Sequence, residues 1–210
     1  MKTSIAVTGY GLGLAAMLTC GWAQAAVFTF DPDAPGINSG DNLSTAFAGV
    51  TLSATGGGDG SVYASALGLA PTGNLVFAWN NGGFLDEHWG RSNAPAFEAL
   101  FSSFLAHTVS IDYLSDLGKV TLEAYDGANN LLGTVSGLPD FDPQTLSFST
   151  GGPDQIRRVR ITVAHVGGAD MGLLDHLVAY SSIPEPGHTA VLAALGLAGL
   201  AGWRRLMRQA

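Results

Sequence analysis

The chain has 210 residues, of which 47% are hydrophobic and 12% charged, and its formal net charge is −8. This length accommodates one domain together with terminal targeting signals. The acidic balance excludes nucleic acid and anionic lipid surfaces as natural partners, and the only cysteine, Cys20, excludes an internal disulfide.

The N-terminal segment has the three parts of a secretory signal peptide. Lys2 gives a small basic region, residues 5–18 form an apolar run, and Ala23-Gln24-Ala25 is a small-residue cleavage site. We therefore predict a signal peptide over residues 1–25, with cleavage after Ala25. An N-terminal membrane helix is the alternative, but the apolar run is short and the cleavage motif follows it at the right distance.

The predicted mature domain, residues 26–182, is more acidic than the whole chain. It contains 5 Lys and Arg residues against 16 Asp and Glu residues, a net charge of −11, and no cysteine. Divalent cations and neutral sugars are compatible with such a surface. A solvated acidic surface without a ligand is the plainer alternative.

Strand signals dominate the first half of the domain. Short apolar or alternating runs bounded by Gly, Pro and Asn predict strands, at residues 27–30, 50–54, 61–67 and 75–79. The polar and aromatic stretch 84–91 lacks a period, and we predict a loop there. Residues 97–105 have apolar spacing that fits a short helix, and an irregular buried strand competes with that interpretation.

The second half alternates more clearly. Val109, Ile111 and Tyr113 share one predicted face, and the following segments alternate in the same way. The predicted strands cover residues 108–114, 119–125, 131–136, 145–149, 157–164 and 173–180. A five-residue turn at 126–130 joins two of them into a hairpin.

Roughly nine or ten short strands predict an all-β antiparallel sandwich of two sheets. The hairpin VTLEAYDGANNLLGTV, the strand IRRVRITV and the ending GLLDHLVAY resemble the galactose-binding-like jelly roll of many carbohydrate-binding modules. The resemblance covers residues 108–180 well and the first half weakly.

In jelly-roll modules of this kind, an acid on the last strand often helps to bind a structural Ca²⁺ ion. The resemblance implies that Asp175 is such a ligand, with Asp31, Asp33 and Asp41 as candidates for the oxygen atoms near the first strand. The alternative is that Asp175 forms a local hydrogen bond or caps a turn. Because His176 follows Asp175 directly, the two side chains are predicted to point to opposite faces of the strand.

Trp79 and Trp89 flank the best concentration of recognition chemistry in the chain, a loop rich in amides and charged groups. A sugar ring stacks its C–H face on a flat aromatic side chain, so these two tryptophans are candidate ligand-binding residues. The alternative is that both are core residues.

Evidence for catalysis is weak. The chain has no nucleophile-elbow, P-loop or dinucleotide-binding motif, and thiol catalysis is excluded in the cysteine-free domain. His88, His107 and His165 lack metal-ligand spacing and are interpreted as surface or packing residues. Glycoside hydrolysis would require two carboxylates that face each other across a cleft.

The C-terminal segment, residues 183–210, contains three signals in a fixed order. Pro184-Glu185-Pro186 forms an extended elbow, an uncharged stretch rich in Ala, Leu and Gly follows over residues 188–203, and Arg204 and Arg205 begin a basic stop. The apolar stretch is predicted to form a helix of roughly 24 Å, which is at the short edge of a bilayer span.

This segment resembles the PEP-CTERM sorting signal of exopolysaccharide-producing Gram-negative bacteria. The resemblance implies recognition by an exosortase, a membrane cysteine protease, with cleavage near Pro184-Glu185-Pro186 and export of the upstream domain. It also implies an inner-membrane precursor that faces the periplasm and a product at the cell surface or in the extracellular matrix. An ordinary tail anchor and a buried C-terminal helix are the alternatives.

Together these signals predict an exported, non-catalytic surface or matrix protein that binds polysaccharide or acts as an adhesin. Two other functions stay open: a secreted enzyme that acts on matrix polysaccharide, and a periplasmic domain anchored in the inner membrane. For an exported surface or matrix protein, the expected partners are exosortase, exopolysaccharide and, before processing, the membrane.

Overall fold

The computed structural model describes residues 26–167 and 171–182. The predicted signal peptide, the Pro184-Glu185-Pro186 motif, the apolar segment and the Arg pair lie outside these residues. Nowhere in the described part of the chain is there a helix long and apolar enough to cross a membrane.

The described residues form twelve strands. Their bounds are β1 Ala26–Phe30, β2 Val50–Thr55, β3 Val62–Ala66, β4 Leu75–Asn81, β5 Phe84–Asp86, β6 Ala96–Phe101, β7 Thr108–Ser115, β8 Val120–Tyr125, β9 Leu131–Gly137, β10 Asp140–Ser149, β11 Arg158–Val163 and β12 Gly172–Ser181. All pairings are antiparallel, in two sheets. The predicted all-β antiparallel sandwich is confirmed.

The larger sheet has the order β10-β7-β12-β4-β3, with β1 added beside β12 and β5 beside β4. The smaller sheet has the order β2-β6-β11-β8-β9. Strand β12 is central, since β7 pairs along one of its edges while β4 and β1 share the other. The C-terminal strand of the domain therefore holds the larger sheet together.

The core lies between the two sheets. Alternation along β8 and β11 buries every second residue, and Phe97, Leu122 and Ile161 of the smaller sheet join Phe77 and Leu174 of the larger one in a single apolar cluster. Full burial of side chains of this size stabilises the fold by roughly 1.5–3 kcal/mol each.

Three local predictions are wrong. Residues 96–101 form strand β6 and not a helix, so the competing strand interpretation is correct. Residues 84–86 form the short strand β5 within the predicted loop. Strand β10 begins at Asp140, five residues earlier than predicted, because the prolines at 139 and 143 obscured a strand at the sheet edge.

The sandwich has two distinct ends. At the tail end, Ala26 of β1 pairs with Ser181, and Ser182 is the last described residue. At the opposite, distal end, Gly172, Ser115 and Asp140 lie side by side across β12, β7 and β10. Ten residues of β12 separate these ends, a distance of about 30 Å at 3.3 Å per residue.

Candidate ligand-binding surface at the distal end

The two tryptophans predicted to bind sugar are core residues. Trp79 and Trp89 are each only 1% exposed. Trp89 packs edge-on against Phe97 and donates its indole N–H to the Phe77 carbonyl at 2.9 Å. Neither ring face is available to a sugar, so the prediction that these rings stack on a ligand is wrong and the core alternative is correct.

The polar residues between the tryptophans do come together, around Asp86. Its side chain is 1% exposed, and its Oδ2 accepts hydrogen bonds from Arg91 at 2.9 Å and from the Asn81 amide at 3.0 Å. Its Oδ1 lies 3.1 Å from the His88 backbone nitrogen and 3.2 Å from His88 Nδ1. A buried carboxylate with this many partners fixes the side chains around it.

The β4–β5 hairpin places an exposed aromatic side chain beside this network. Gly82 and Gly83 have positive φ values of 65° and 104°, which the tight turn requires, and the Asn80 side chain accepts from Gly83 N at 2.8 Å. Phe84 pairs with Asn81 across the hairpin and is 56% exposed. Phe84 and Asp86 share one face of β5 because side chains alternate along a strand.

We name the group Asn81, Phe84, Asp86, His88 and Arg91 the Asp86 surface. Its polar groups remain accessible at their outer ends, since the Arg91 side chain is 38% exposed and that of His88 20% exposed. The exposed residue Asn93 contacts the Asn81 amide oxygen at 3.5 Å. The surface therefore combines one exposed aromatic ring with amide, imidazole and guanidinium donors.

The loop of residues 56–60 supports the hairpin from a neighbouring position. Asp59 accepts hydrogen bonds from the Tyr63 hydroxyl at 2.7 Å and from the Asn80 amide at 3.2 Å. The bond from Tyr63, followed by one from Ser61 N, lowers the pKa of Asp59, and the same bond raises the pKa of Tyr63. A Cβ atom at Gly58 would lie 2.0 Å from the Asn80 carbonyl oxygen, so only glycine permits this contact.

A metal ion fits the Asp86 surface poorly. Among residues 26–167 and 171–182, Asp86, Glu87 and His88 form the group whose candidate ligand atoms all lie within 4.8 Å of one another. However, the Arg91 guanidinium already neutralises Asp86, and Glu87 Oε1 accepts from the Ser65 hydroxyl. A cation there would have to displace the Arg91 charge, and Coulomb repulsion opposes this.

Asp31, Asp33 and Asp175 are not among the described residues whose candidate ligand atoms all lie within 4.8 Å of one another. Asp33 Oδ2 accepts from the backbone N–H groups of Asn74 and Leu75, and Asp31 Oδ1 accepts from Asp33 N. These two carboxylates thus accept hydrogen bonds from backbone donors. Calcium binding by these residues stays a prediction of the sequence.

Asp175 is fully buried on the outer face of β12. Its Oδ2 accepts from both Thr72 N at 3.0 Å and Thr72 Oγ1 at 2.6 Å, and its Oδ1 accepts from His176 N at 2.8 Å. Burial raises its pKa to about 6, and the hydrogen bonds from Thr72 and His176 oppose that rise. The local hydrogen-bonding alternative describes this residue.

Asp175 and His176 do not point to opposite faces as predicted. A β-bulge lies between Asp175 and Leu177, and His176 has a φ of 39°. The bulge turns the His176 ring onto Asp112, the cross-strand neighbour of Asp175, with Nδ1 3.0 Å from Asp112 Oδ2. The extra residue in the bulge breaks the alternation on which the prediction depended.

The other two histidines have structural contacts. His165 Nδ1 lies 3.0 Å from the Gly90 carbonyl oxygen. His107 Nδ1 lies 3.0 Å from Asp154, whose carboxylate also accepts from the Ser181 hydroxyl and from the Ser182 backbone and hydroxyl groups. Although burial alone would raise the pKa of Asp154, the hydrogen bonds from Ser182 and its neighbours hold it below the usual value.

Sequence reasoning selected the segment that carries the Asp86 surface but not its exposed aromatic residue. The exposure of Phe84 depends on the two-glycine turn and on the short strand β5, which was predicted as loop. The signal for Phe84 was its place directly after Asn-Asn-Gly-Gly, where a hairpin returns.

No protein-family model and no curated protein matches this sequence. Among solved structures, a variant of the family 29 carbohydrate-binding module CBM29-2 is similar with 16% identity and a TM-score of 0.43, covering 76% of this chain and 96% of that one. The K2 cleaved adhesin domain of Lys-gingipain is similar with 14% identity and a TM-score of 0.45, covering 73% and 99%. These likenesses are too distant to transfer a function.

Proposed function

We propose that this protein is exported and sorted through its C-terminal segment, and that its β-sandwich binds polysaccharide without catalysing a reaction. The observation that carries the binding part is the Asp86 surface, where an exposed phenyl ring stands beside fixed hydrogen-bond donors. Sugars are recognised through this combination, because their C–H faces stack on aromatic rings and their hydroxyl groups pair with polar side chains.

The position of the Asp86 surface supports the same proposal. Asp86 pairs with Trp79 near the distal end, and Trp89 N bonds to Gly172 O at the start of β12. Ser182, the last described residue, lies at the other end of β12. A domain held by its C-terminal segment would therefore present the Asp86 surface away from the membrane.

The carboxylate of this surface, Asp86, and the neighbouring Glu87 support binding rather than catalysis. Asp86 is committed to Arg91, Asn81 and His88, and Glu87 is committed to Ser65. A glycosidase needs one carboxylate as a general acid and another as nucleophile or base, both facing the sugar. The groups of the Asp86 surface that reach solvent are donors and an aromatic ring.

Binding is tested with the full-length chain in detergent and a panel of soluble neutral polysaccharides: a β-glucan, a galactomannan and a dextran. We expect at least one of them to bind, and Phe84→Ala to weaken that binding about tenfold, equivalent to about 1.4 kcal/mol. The matched control is Leu131→Ala, since Leu131 is 54% exposed and lies near the tail end, paired with Tyr125. Equal affinity of both variants and the wild type would refute binding at the Asp86 surface.

A further inference from the structure

Strand β10 carries an unusually large bulge at the distal end. Asp140 pairs with Ser115 and Gln144 pairs with Tyr113. One residue of β7 thus faces three residues of β10, and the segment Phe141–Pro143 is pushed out from the edge of the larger sheet. Bulges at sheet edges re-aim side chains and end strand pairing.

The bulge is held in place from both sides. The Tyr113 hydroxyl donates to Gln144 Oε1 at 2.7 Å and lies 3.3 Å from the Leu138 carbonyl oxygen. The Tyr113 ring is buried in the core, which fixes the position of this hydroxyl. A Cβ atom at Gly137 would clash with the same hydroxyl, at 1.9 Å. The bulge is therefore preformed, and binding through it would cost little conformational entropy.

Its tip exposes apolar surface between two acids. Phe141 is 66% exposed and Leu138 75% exposed, the two largest exposures among the large apolar residues described. Asp140 and Asp142 flank Phe141 and are both exposed. An exposed phenyl ring in a fixed segment is available to stack on a ligand.

We infer that this bulge is a second contact for a neutral polysaccharide chain, an inference that rests on the proposed function. The phenyl ring offers a stacking surface, and the two carboxylates accept hydrogen bonds from sugar hydroxyl groups. The same carboxylates, in a domain with a net charge of −11 over residues 26–182, repel polyanions such as uronic acid polymers. The ligand class is therefore neutral.

The bulge and the Asp86 surface occupy the same end of the molecule. Asp140 is level with Gly172 across β7 and β12, and Gly172 O accepts from Trp89 N beside the Asp86 surface. One polysaccharide chain can contact both places, whereas a single sugar unit contacts one. Two linked contacts raise the affinity for a polymer above that for its fragments.

The test compares Phe141→Ala, Phe84→Ala and Leu131→Ala in the full-length chain, with the neutral polysaccharide that binds best and with its disaccharide. We expect Phe141→Ala to weaken polymer binding about tenfold and to leave disaccharide binding at the Asp86 surface unchanged. Because Phe141 is largely exposed, this variant should fold normally, with an unchanged Tm. Phe141→Tyr, which keeps a flat ring, should bind the polymer with wild-type affinity.

Each of three other outcomes would overturn a different part of the proposal. If Phe84→Ala weakens polymer binding and Phe141→Ala does not, the second contact is wrong and the proposed function stands. If neither variant differs from Leu131→Ala, binding at the distal end is wrong altogether. If Phe141→Ala weakens binding of an acidic polysaccharide as strongly as that of the neutral one, the assigned ligand class is wrong.

Discussion

At the scale of single residues, burial decides which groups can act. Trp79 offers the larger ring but is enclosed in the core, whereas Phe84 is exposed at a hairpin. Asp86 and Asp175 are both buried carboxylates with different environments. Asp86 lies beside the Arg91 guanidinium, and Asp175 is held by neutral donors from Thr72 and His176.

Asp175 makes the stability of the domain depend on pH. Burial raises its pKa to about 6 from the usual 3.8, so the folded state holds this proton more tightly than the unfolded chain. The free energy of unfolding must then fall as pH rises from about 3.8 to about 6. Measured in EDTA, the wild type should lose about 2 kcal/mol relative to Asp175→Asn between pH 4 and pH 7.

Chemical denaturation of both proteins at several pH values measures this difference. Because the asparagine side chain does not titrate, the difference between the two proteins reports on Asp175. If the difference in free energy of unfolding between the wild type and Asp175→Asn is constant from pH 4 to pH 7, the pKa of Asp175 is not raised.

At the scale of elements, glycine turns and bulges position the surfaces that matter. The 56–60 loop contacts the β4–β5 hairpin through Gly58, and the β10 bulge extends Phe141 from the sheet edge. Neither the loop contact nor the bulge can be predicted from the alternation of side chains along a strand. Sequence patterns predicted the regular strands β8 and β11 well because their faces differ in burial.

Gly58→Ala should destabilise the protein more than Gly60→Ala. Both glycines have positive φ values, 60° and 80°, which cost an L-residue roughly 1–2 kcal/mol. Only at Gly58 does a Cβ atom also meet backbone, the Asn80 carbonyl oxygen, while Gly60 has open space around it. We expect Gly58→Ala to cost about 2 kcal/mol more than Gly60→Ala.

Thermal unfolding of the two variants gives this comparison, and polysaccharide binding gives a second readout. Gly58→Ala should also weaken binding, because Asn80 begins the turn that positions Phe84. Equal Tm values for the two variants would show that the loop does not support the hairpin.

At the scale of the whole molecule, both chain ends of the domain lie together. Ala26 pairs with Ser181, and Asp154 fixes Ser182 with bonds of 2.7 to 3.0 Å. The predicted signal peptide and sorting segment would thus both join the domain at its tail end. With the proposed sorting and binding, this arrangement would leave the distal end free to meet a ligand both before and after processing.

Replacing Pro184, Glu185 and Pro186 with alanine should leave the full-length protein in the inner membrane of its own host. The reason is that the proposed exosortase would no longer recognise the motif. Intact mass and membrane fractionation measure the result, with Leu131→Ala as the control for export. Normal release of a shortened protein from the triple variant would contradict the sorting proposal.

The sequence by itself determined the all-β class, the alternating strands and the segment that holds the candidate site, because alternation and turn residues are local properties. Only the tertiary structure decided which aromatic rings are exposed, that Asp86 pairs with Arg91, and that Phe141 lies at the same end as Phe84. Those facts depend on which strands become neighbours, and contacts between residues distant in the sequence leave no periodic trace in it.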